Sequence, residues 1–145
     1  MKIAIGCDPN AEGLKKTIIS FIEEKGYEVI DYGSDDPIYA NVAFKVAEDV
    51  SKGVCDKGIL ICGTGIGVSI AANKVKGAYA ACICNVYQAQ RAALSNNANI
   101  ITLGSQVIGS ELAKCLVETW LPLVYDPSSR SNPKVTRISH YEQED

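Results

Sequence analysis

The residues with the clearest chemical potential form the run Cys62-Gly63-Thr64-Gly65-Ile66-Gly67. The apolar residues 58–61 before it predict a buried strand, and residues 70–75 after it predict a helix. Glycines at alternate positions let the chain turn tightly and direct its N–H groups toward a ligand, and a helix start adds unpaired donors. The run therefore predicts a cradle for a phosphate or a reaction oxyanion, with the Cys62 thiol at its rim as a base or nucleophile.

Two common glycine motifs do not fit this run. A Walker A loop would close with Gly-Lys-Ser or Gly-Lys-Thr, which the run lacks. The dinucleotide-binding fingerprint has glycines at its first, third and sixth positions, and Val68 occupies the sixth. A simpler interpretation stays open, because most free cysteines are small buried hydrophobic residues and glycines also serve plain strand-to-helix turns.

Composition narrows the class of protein. The chain has 145 residues, of which 47% are hydrophobic and 21% charged, as in one globular domain. The net charge of −3 argues against a nucleic-acid partner, and no apolar run approaches the ~20 residues of a membrane span. We recognise no signal peptide, and we expect six reduced cysteines in a cytoplasmic protein. A single histidine argues against a structural zinc site.

Strand and helix patterns alternate along the chain, which we expect to form one domain over residues 1–145. Short apolar runs predict five strands, at residues 3–7, 27–31, 58–61, 79–84 and 99–103. Apolar residues at helical spacing predict helices at residues 14–22, 44–50, 70–75, 87–94 and 112–120. This repetition predicts an α/β fold, in which a doubly wound, five-stranded parallel sheet forms the middle of a three-layer αβα sandwich.

Several polar residues stand where such a sheet binds ligands, beyond the carboxyl ends of its strands. We place Asp8 there after the first strand, the Cys62 loop after the third, Asn85 after the fourth, and Asn96 just before the fifth. Each has a structural alternative. Asp8 could cap the first helix, and Asn96 and Asn97 could be turn residues.

Residues 126–145 differ in composition and predict a C-terminal arm. The arm begins with a segment rich in proline and serine, and Val135 and Ile138 then indicate a brief helix. Arg130, Lys134 and Arg137 bring three cations close together in this arm. It is either a solvated tail or a segment that offers cations to an anion in its own pocket or in that of a neighbouring subunit.

These runs resemble the ribose-5-phosphate isomerase B and galactose-6-phosphate isomerase family over nearly the whole chain. The matching segments are residues 1–8, 58–67, 69–75, 96–99 and 103–104. The resemblance implies a Rossmann-like fold, a homodimer or homotetramer, and no metal or cofactor. It also implies the interconversion of an aldose phosphate and a ketose phosphate through a cis-enediolate.

The resemblance assigns roles to individual residues. In this family the cysteine that matches Cys62 is the base that moves a proton between C1 and C2, and the threonine that matches Thr64 handles hydroxyl protons. The loop amides stabilise the enediolate, and one such donor contributes about 3–4 kcal/mol. The resemblance further implies a substrate-binding set, namely Asp8, Tyr39, Gly63, Gly65, Ile66, Gly67, Ser69, Asn96, Arg130 and Lys134.

The chain departs from the family where phosphate is bound and where the sugar ring is opened. Pro9 replaces a phosphate-binding histidine, Ser95 replaces a ring-opening histidine, and Gln106 replaces an arginine. Arg130 and Lys134 are candidates to replace the lost cations. The residues for proton transfer are therefore present, whereas those for ring opening and anion binding are largely replaced.

The sequence is compatible with three functions. The first is an active isomerase of a pentose phosphate-like or shorter open-chain substrate. The second is one subunit of a heteromeric galactose-6-phosphate-type isomerase with a paralogous partner, and the third is a non-catalytic sugar-phosphate-binding homologue. Cys62 and Thr64 favour an enzyme.

The replaced ring-opening residue indicates the kind of substrate. A four-carbon phosphate such as erythrulose 4-phosphate cannot form a stable ring, because its terminal oxygen is esterified. We therefore expect a substrate of this kind.

Overall fold

The computed structural model describes residues 1–144, which form five strands and six α-helices. The strands are β1 (Lys2–Cys7), β2 (Glu28–Asp31), β3 (Lys57–Cys62), β4 (Ala80–Cys82) and β5 (Ile100–Gly104). The helices are α1 (Glu12–Glu24), α2 (Tyr39–Ser51), α3 (Ile66–Ala72), α4 (Val86–Leu94), α5 (Ser110–Trp120) and α6 (Asn132–Glu142). A single 3-10 turn, Pro9–Ala11, precedes α1.

The strands form one parallel sheet in the order β2-β1-β3-β5-β4. Helices α1, α4 and α5 cover one face, and α2 and α3 cover the other. The expected α/β three-layer sandwich is therefore confirmed. In the register between the central strands β3 and β5, Cys62 lies opposite Gly104, so the glycine loop leaves the sheet beside the end of β5.

The central strands are apolar on both faces because helices cover both. Along β3, Ile59 and Ile61 belong to the core under α1, α4 and α5, while Leu60 and Cys62 belong to the core under α2 and α3. Each of these side chains is at most 4% exposed. Burial on both sides removes the alternation of polar and apolar residues that marks a half-exposed strand.

Two helices differ from their sequence-based predictions. Helix α3 begins at Ile66 rather than near Ile70, so the glycine loop ends inside its first turn. On α5, the core side is formed by Ala113, Leu116, Val117 and Trp120, whereas Leu112 and Cys115 are exposed. The predicted spacing had the correct period, but the buried face is rotated and includes the small residue Ala113.

A buried lysine joins α1 to the end of β2. The side chain of Lys15 is 3% exposed, and its ammonium lies 2.7 Å from the Asp31 carboxylate. Partial burial acts to raise the pKa of Asp31, but hydrogen bonds from Lys15 and from the Gly33 N–H outweigh it and hold that pKa below its ordinary value. The pair compensates a charge that would otherwise be buried alone.

Two further features bear on the class of protein. All six cysteines, which lie within residues 1–144, are free thiols. None of the helices in that range combines the length and the apolar character needed to cross a membrane.

We predict that Asp31→Asn lowers the free energy of unfolding at pH 7 by about 1–2 kcal/mol. This loss is smaller than for a fully buried pair, because about half of the carboxylate remains in water. Since the native pKa of Asp31 is depressed, its contribution is present above the ordinary carboxyl value of 3.8 and is lost as the pH falls through the native value. Urea unfolding followed by the fluorescence of Trp120 at pH 7 and pH 3 measures the stability loss and its dependence on pH.

The matched control is Asp35→Asn, which removes an exposed carboxylate that forms no ion pair within residues 1–144. An Asp31 variant as stable as the Asp35 variant at pH 7 would contradict the proposed contribution of the pair.

Candidate active site

The sulfur of Cys62 lies under the glycine loop at the carboxyl end of β3. Cys62 is 4% exposed, and the N–H of Gly65 donates a hydrogen bond of 3.1 Å to its Sγ. The side chain is therefore held as a hydrogen-bond acceptor. Next to it, the N–H of Asp8 donates to the carbonyl of Ile61, so the residue that follows β1 lies beside the end of β3.

Gly65 has a conformation and a location that only glycine satisfies easily. Its φ is +79°, in the left-handed region, and a Cβ there would stand 2.9 Å from the carbonyl carbon of Leu103. Its own carbonyl accepts a hydrogen bond of 2.7 Å from the hydroxyl of Thr102. The turn is thus pressed against β5 and hydrogen-bonded to it.

Thr64 is the exposed residue of the loop. Its Oγ1 accepts a hydrogen bond of 3.2 Å from the N–H of Ile66. Its carbonyl faces the thiol of Cys82 on β4, with 3.8 Å between the sulfur and the oxygen. The hydroxyl of Thr64 therefore stands at the surface of the loop with its oxygen already engaged by an amide.

Tyr39 and Gly67 meet in the first turns of two helices. Tyr39 begins α2, and a Cβ at Gly67 would overlap its hydroxyl and ring. The absence of a side chain at Gly67 therefore lets the phenol lie against the start of α3. The sequence-predicted residues Asp8, Tyr39, Cys62 and the glycine loop thus lie at one edge of the sheet.

Ser69 is not directed toward this loop. It is buried in the second turn of α3, and its hydroxyl donates to the carbonyl of Ala80 at 3.5 Å, at the start of β4. Asp8 is placed at the loop, but its carboxylate also accepts from the N–H of Ala11 at 3.1 Å and caps the 3-10 turn.

The prediction that Asn96 lies beyond the carboxyl ends of the strands was wrong. Helix α4 runs back from the carboxyl edge, so Asn96 precedes β5 and lies at the edge where the strands begin. Cys62 pairs with Gly104, at the other end of β5. The two edges are about 13 Å apart along the strand, at ~3.3 Å per residue.

The C-terminal arm also lies at the edge where the strands begin. The carboxylate of Glu142 accepts hydrogen bonds from the N–H of Gly77 at 2.9 Å and from the hydroxyl of Tyr79 at 2.7 Å, just before β4. Val135 and Ile138 of α6 line a cavity of about 310 Å³ together with Asn96. Arg130 and Lys134 are exposed and form no ion pair within residues 1–144.

The loops of the carboxyl edge contain no cation, and Lys15 of α1, which reaches this edge, is buried and paired with Asp31. Five loops follow the strands there, at residues 8–11, 32–38, 63–65, 83–85 and 105–109. None of them, all within the described residues 1–144, contains a lysine, an arginine or a histidine. From these loops, a phosphate at the Cys62 loop would therefore meet amides and hydroxyls but no cationic side chain.

A second thiol near the loop is chemically different from Cys62. Cys7 ends β1 and is 1% exposed, and burial raises the pKa of its thiol to about 11. It therefore stays protonated near neutral pH and is a core residue. Within residues 1–144, no group of three or more His, Cys, Asp and Glu side chains is arranged to hold a metal ion.

Comparisons with known proteins identify the family. Residues 3–138 match the family model described as Ribose/Galactose Isomerase. The chain is 46% identical to D-erythrulose-4-phosphate isomerase of Pectobacterium atrosepticum, over 100% of this chain and 97% of that protein. It is also 46% identical to ribose-5-P isomerase B of Listeria innocua, over 99% and 98% of the two chains. The chain belongs to the ribose/galactose isomerase family.

The fold agrees with a solved member of this family. The structure of ribose-5-phosphate isomerase B from Clostridium thermocellum is 44% identical, covers 99% of this chain and 98% of its own, and superposes with a TM-score of 0.93. The protein is an aldose–ketose isomerase of sugar phosphates. The resemblance inferred from the sequence runs is confirmed.

Three residues outside the predicted site set contact the loop of this isomerase, and of these only Gln106 was noted from the sequence. Thr102 and Cys82 face the carbonyls of Gly65 and Thr64, and the side-chain amide of Gln106 lies 3.4 Å from where a Gly63 Cβ would stand. One signal was available, because Thr102 is the one polar residue of the strand Ile100–Gly104.

We predict that Gly104→Ala lowers kcat/KM of the isomerase by at least about tenfold, since small displacements of catalytic groups have effects of this size or larger. A Cβ at Gly104 would stand 2.7 Å from the carbonyl carbon and oxygen of Thr64, so the loop must move. Steady-state kinetics on the sugar phosphate that the wild type converts best measure the effect.

Gly109→Ala is the control, because a Cβ at that position meets nothing within 4 Å. A Gly104 variant that retains more than half of the wild-type kcat/KM would show that the position of the loop does not govern activity.

Proposed function

We propose that this isomerase interconverts a four-carbon ketose phosphate and its aldose, D-erythrulose 4-phosphate and D-erythrose 4-phosphate, through a cis-enediolate. Cys62 is the carbon base, and Thr64 moves the hydroxyl proton. The observation that carries the proposal is the loop itself, in which amides of one turn contact both Cys62 Sγ and Thr64 Oγ1. A base, a hydroxyl and backbone N–H groups are thus grouped within residues 62–66.

These positions suggest the order of the proton transfers. Starting from the ketose, Cys62 takes a proton from C1 while the carbonyl oxygen on C2 gains negative charge beside the loop amides. Thr64 transfers the O1 proton to O2, and the proton held by Cys62 returns to C2. The aldehyde forms at C1, and both side chains regain their starting protonation states.

The choice of a short substrate rests on what the chain lacks. Ser95 stands where the family has a ring-opening histidine, and a serine hydroxyl does not titrate near neutral pH. A tetrose 4-phosphate needs no ring opening. The similar protein from Pectobacterium atrosepticum carries the name D-erythrulose-4-phosphate isomerase, which supports the same substrate class for this chain.

Charge supports a site that two copies share. The carboxyl-edge loops lack any cation, whereas Arg130 and Lys134 are exposed on the arm, whose helix α6 contacts the opposite edge of the sheet. Phosphate binding by cationic side chains is strong. We infer that the arm of a second copy, together with its Asn96, reaches the Cys62 loop of the first.

Exposed apolar side chains mark both surfaces that such a dimer would bury. Ile66 and Ile70 of α3 are 56% and 59% exposed beside the loop, and Ile138 and Tyr141 of α6 are 53% and 69% exposed on the arm. In a two-fold dimer, the loop side of one copy meets the arm side of the other twice. Apolar surface on both sides favours such a contact.

We predict that Cys62→Ser lowers kcat by at least ~10²-fold, as is typical for the loss of a positioned base. Calorimetric binding of the sugar phosphate should change much less, because the loop amides remain. Cys115→Ser is the control, since that thiol is exposed on α5 and remote from the loop. A Cys62 variant with wild-type kcat would show that Cys62 is a buried core residue and not the base.

We predict that kcat/KM is higher for D-erythrulose 4-phosphate than for ribose 5-phosphate, because the pentose spends most of its time as a closed ring. Ser95→His should leave the activity on the tetrose within about twofold, since an open-chain substrate gains nothing from a ring-opening acid. Steady-state kinetics on a panel of four-, five- and six-carbon aldose and ketose phosphates measure these kcat/KM values. A higher kcat/KM for ribose 5-phosphate would overturn the open-chain proposal.

We predict an assembly with at least twice the 15.5 kDa mass of the chain, active without any other protein. Light scattering of the purified chain under assay conditions gives the mass. A fully active monomer would contradict the shared site. An inactive homodimer that gains activity only with a paralogous chain would favour the heteromeric galactose-6-phosphate-type alternative, and binding without turnover on the whole panel would favour a sugar-phosphate sensor.

A further inference from the structure

The peptide unit between Gly65 and Ile66 is held at both ends. Its carbonyl accepts a hydrogen bond of 2.7 Å from the hydroxyl of Thr102. Its N–H donates a hydrogen bond of 3.2 Å to Oγ1 of Thr64. A trans peptide is planar, and its C=O and N–H point in opposite directions. Whatever fixes the carbonyl therefore also fixes the direction of the amide.

The peptide unit between Thr64 and Gly65 is contacted at both ends in the same way, although its carbonyl contact is longer. The carbonyl of Thr64 faces the Cys82 sulfur at 3.8 Å, and the N–H of Gly65 donates to Cys62 Sγ at 3.1 Å. In both units, a side chain from β5 or β4 contacts the carbonyl, and the amide donates to a residue with a proposed catalytic role. Of the two, the Thr102 contact is the short one and is fully buried.

The hydroxyl of Thr102 has no evident role in the sheet itself. Thr102 is 0% exposed, in a strand whose other residues are Ile, Leu and Gly. Valine has the same shape and suits a buried strand at least as well. A buried hydroxyl is favourable only where it finds a partner, and the partner here is the carbonyl of Gly65.

We propose that Thr102 is a positioning residue for Thr64, an inference that rests on the proposed function of that threonine. By holding the Gly65 carbonyl, Thr102 directs the Ile66 N–H onto the oxygen of Thr64. That amide occupies one lone pair of the oxygen, so the hydroxyl hydrogen is directed away from the loop. Thr64 then presents a donor to the two substrate oxygens between which a proton must move.

Three variants test this role by kinetics. Thr102→Val keeps the shape and removes the donor, and we expect it to lower kcat at least about tenfold with KM changed less than about twofold. Thr102→Ser keeps the donor and should retain kcat within about threefold. Thr119→Val is the control, because it removes a hydroxyl that bonds only within α5.

A double-variant cycle separates positioning from simple destabilisation. In a Thr64→Val background, Thr102→Val should lower kcat by less than about twofold, because the residue through which it acts is already gone. A further tenfold loss in that background would show that Thr102 acts by another route. Equal losses in Thr102→Val and Thr102→Ser would likewise overturn the role of the hydroxyl.

Amide hydrogen exchange tests the same contact without any substrate. In ¹⁵N-labelled, ligand-free protein, Thr102→Val should speed exchange at the Ile66 amide at least about tenfold, while Thr102→Ser and Thr119→Val leave it near the wild-type rate. Unchanged exchange in Thr102→Val, or faster exchange with wild-type kcat, would overturn the proposal. If the wild type converts no sugar phosphate, the proposed function fails, and the Ile66 exchange rate alone decides whether Thr102 positions the loop.

Discussion

The attachment of the glycine loop to β5 is the interaction on which the site depends. The N–H groups of Ser105 and Gln106 donate to the carbonyls of Cys62 and Gly63 at 2.8 and 2.9 Å, which extends the pairing of β3 and β5 beyond the ends of the strands. The loop is thus fixed before any ligand arrives. Donors that need no reorganisation stabilise a developing charge better than mobile ones.

The groups proposed for proton transfer and the cations proposed for phosphate binding lie in different parts of the chain. The carboxyl edge offers a thiol, a hydroxyl and amides, and its loops contain aspartates but no cations. Arg130 and Lys134 are exposed on the arm, whose helix α6 contacts the edge where the strands begin. In the proposed shared site, the cations come from a second copy and meet the phosphate end of the substrate.

The sequence predicted the fold and the position of the Cys62 loop at the end of β3, because those features depend on local patterns. Buried strands and the Cys62 loop are contiguous and were found, whereas Asn96 was placed at the wrong edge because the return path of α4 was not followed. Thr102 and Cys82 were missed because their contacts with the loop join residues far apart in sequence. The phase of α5 was missed because the burial of the small residue Ala113 is not encoded in a hydrophobic period.

The central claim is that the base and the cations of one site come from different chains, and mixing two inactive variants tests it most directly. One variant is Cys62→Ala, and the other is Arg130→Ala combined with Lys134→Ala. When equal amounts are unfolded and refolded together, a shared two-fold site predicts about one quarter of wild-type activity, because half of the dimers are mixed and each contains one intact site. Activity no higher than the average of the two separate variants would contradict the shared site.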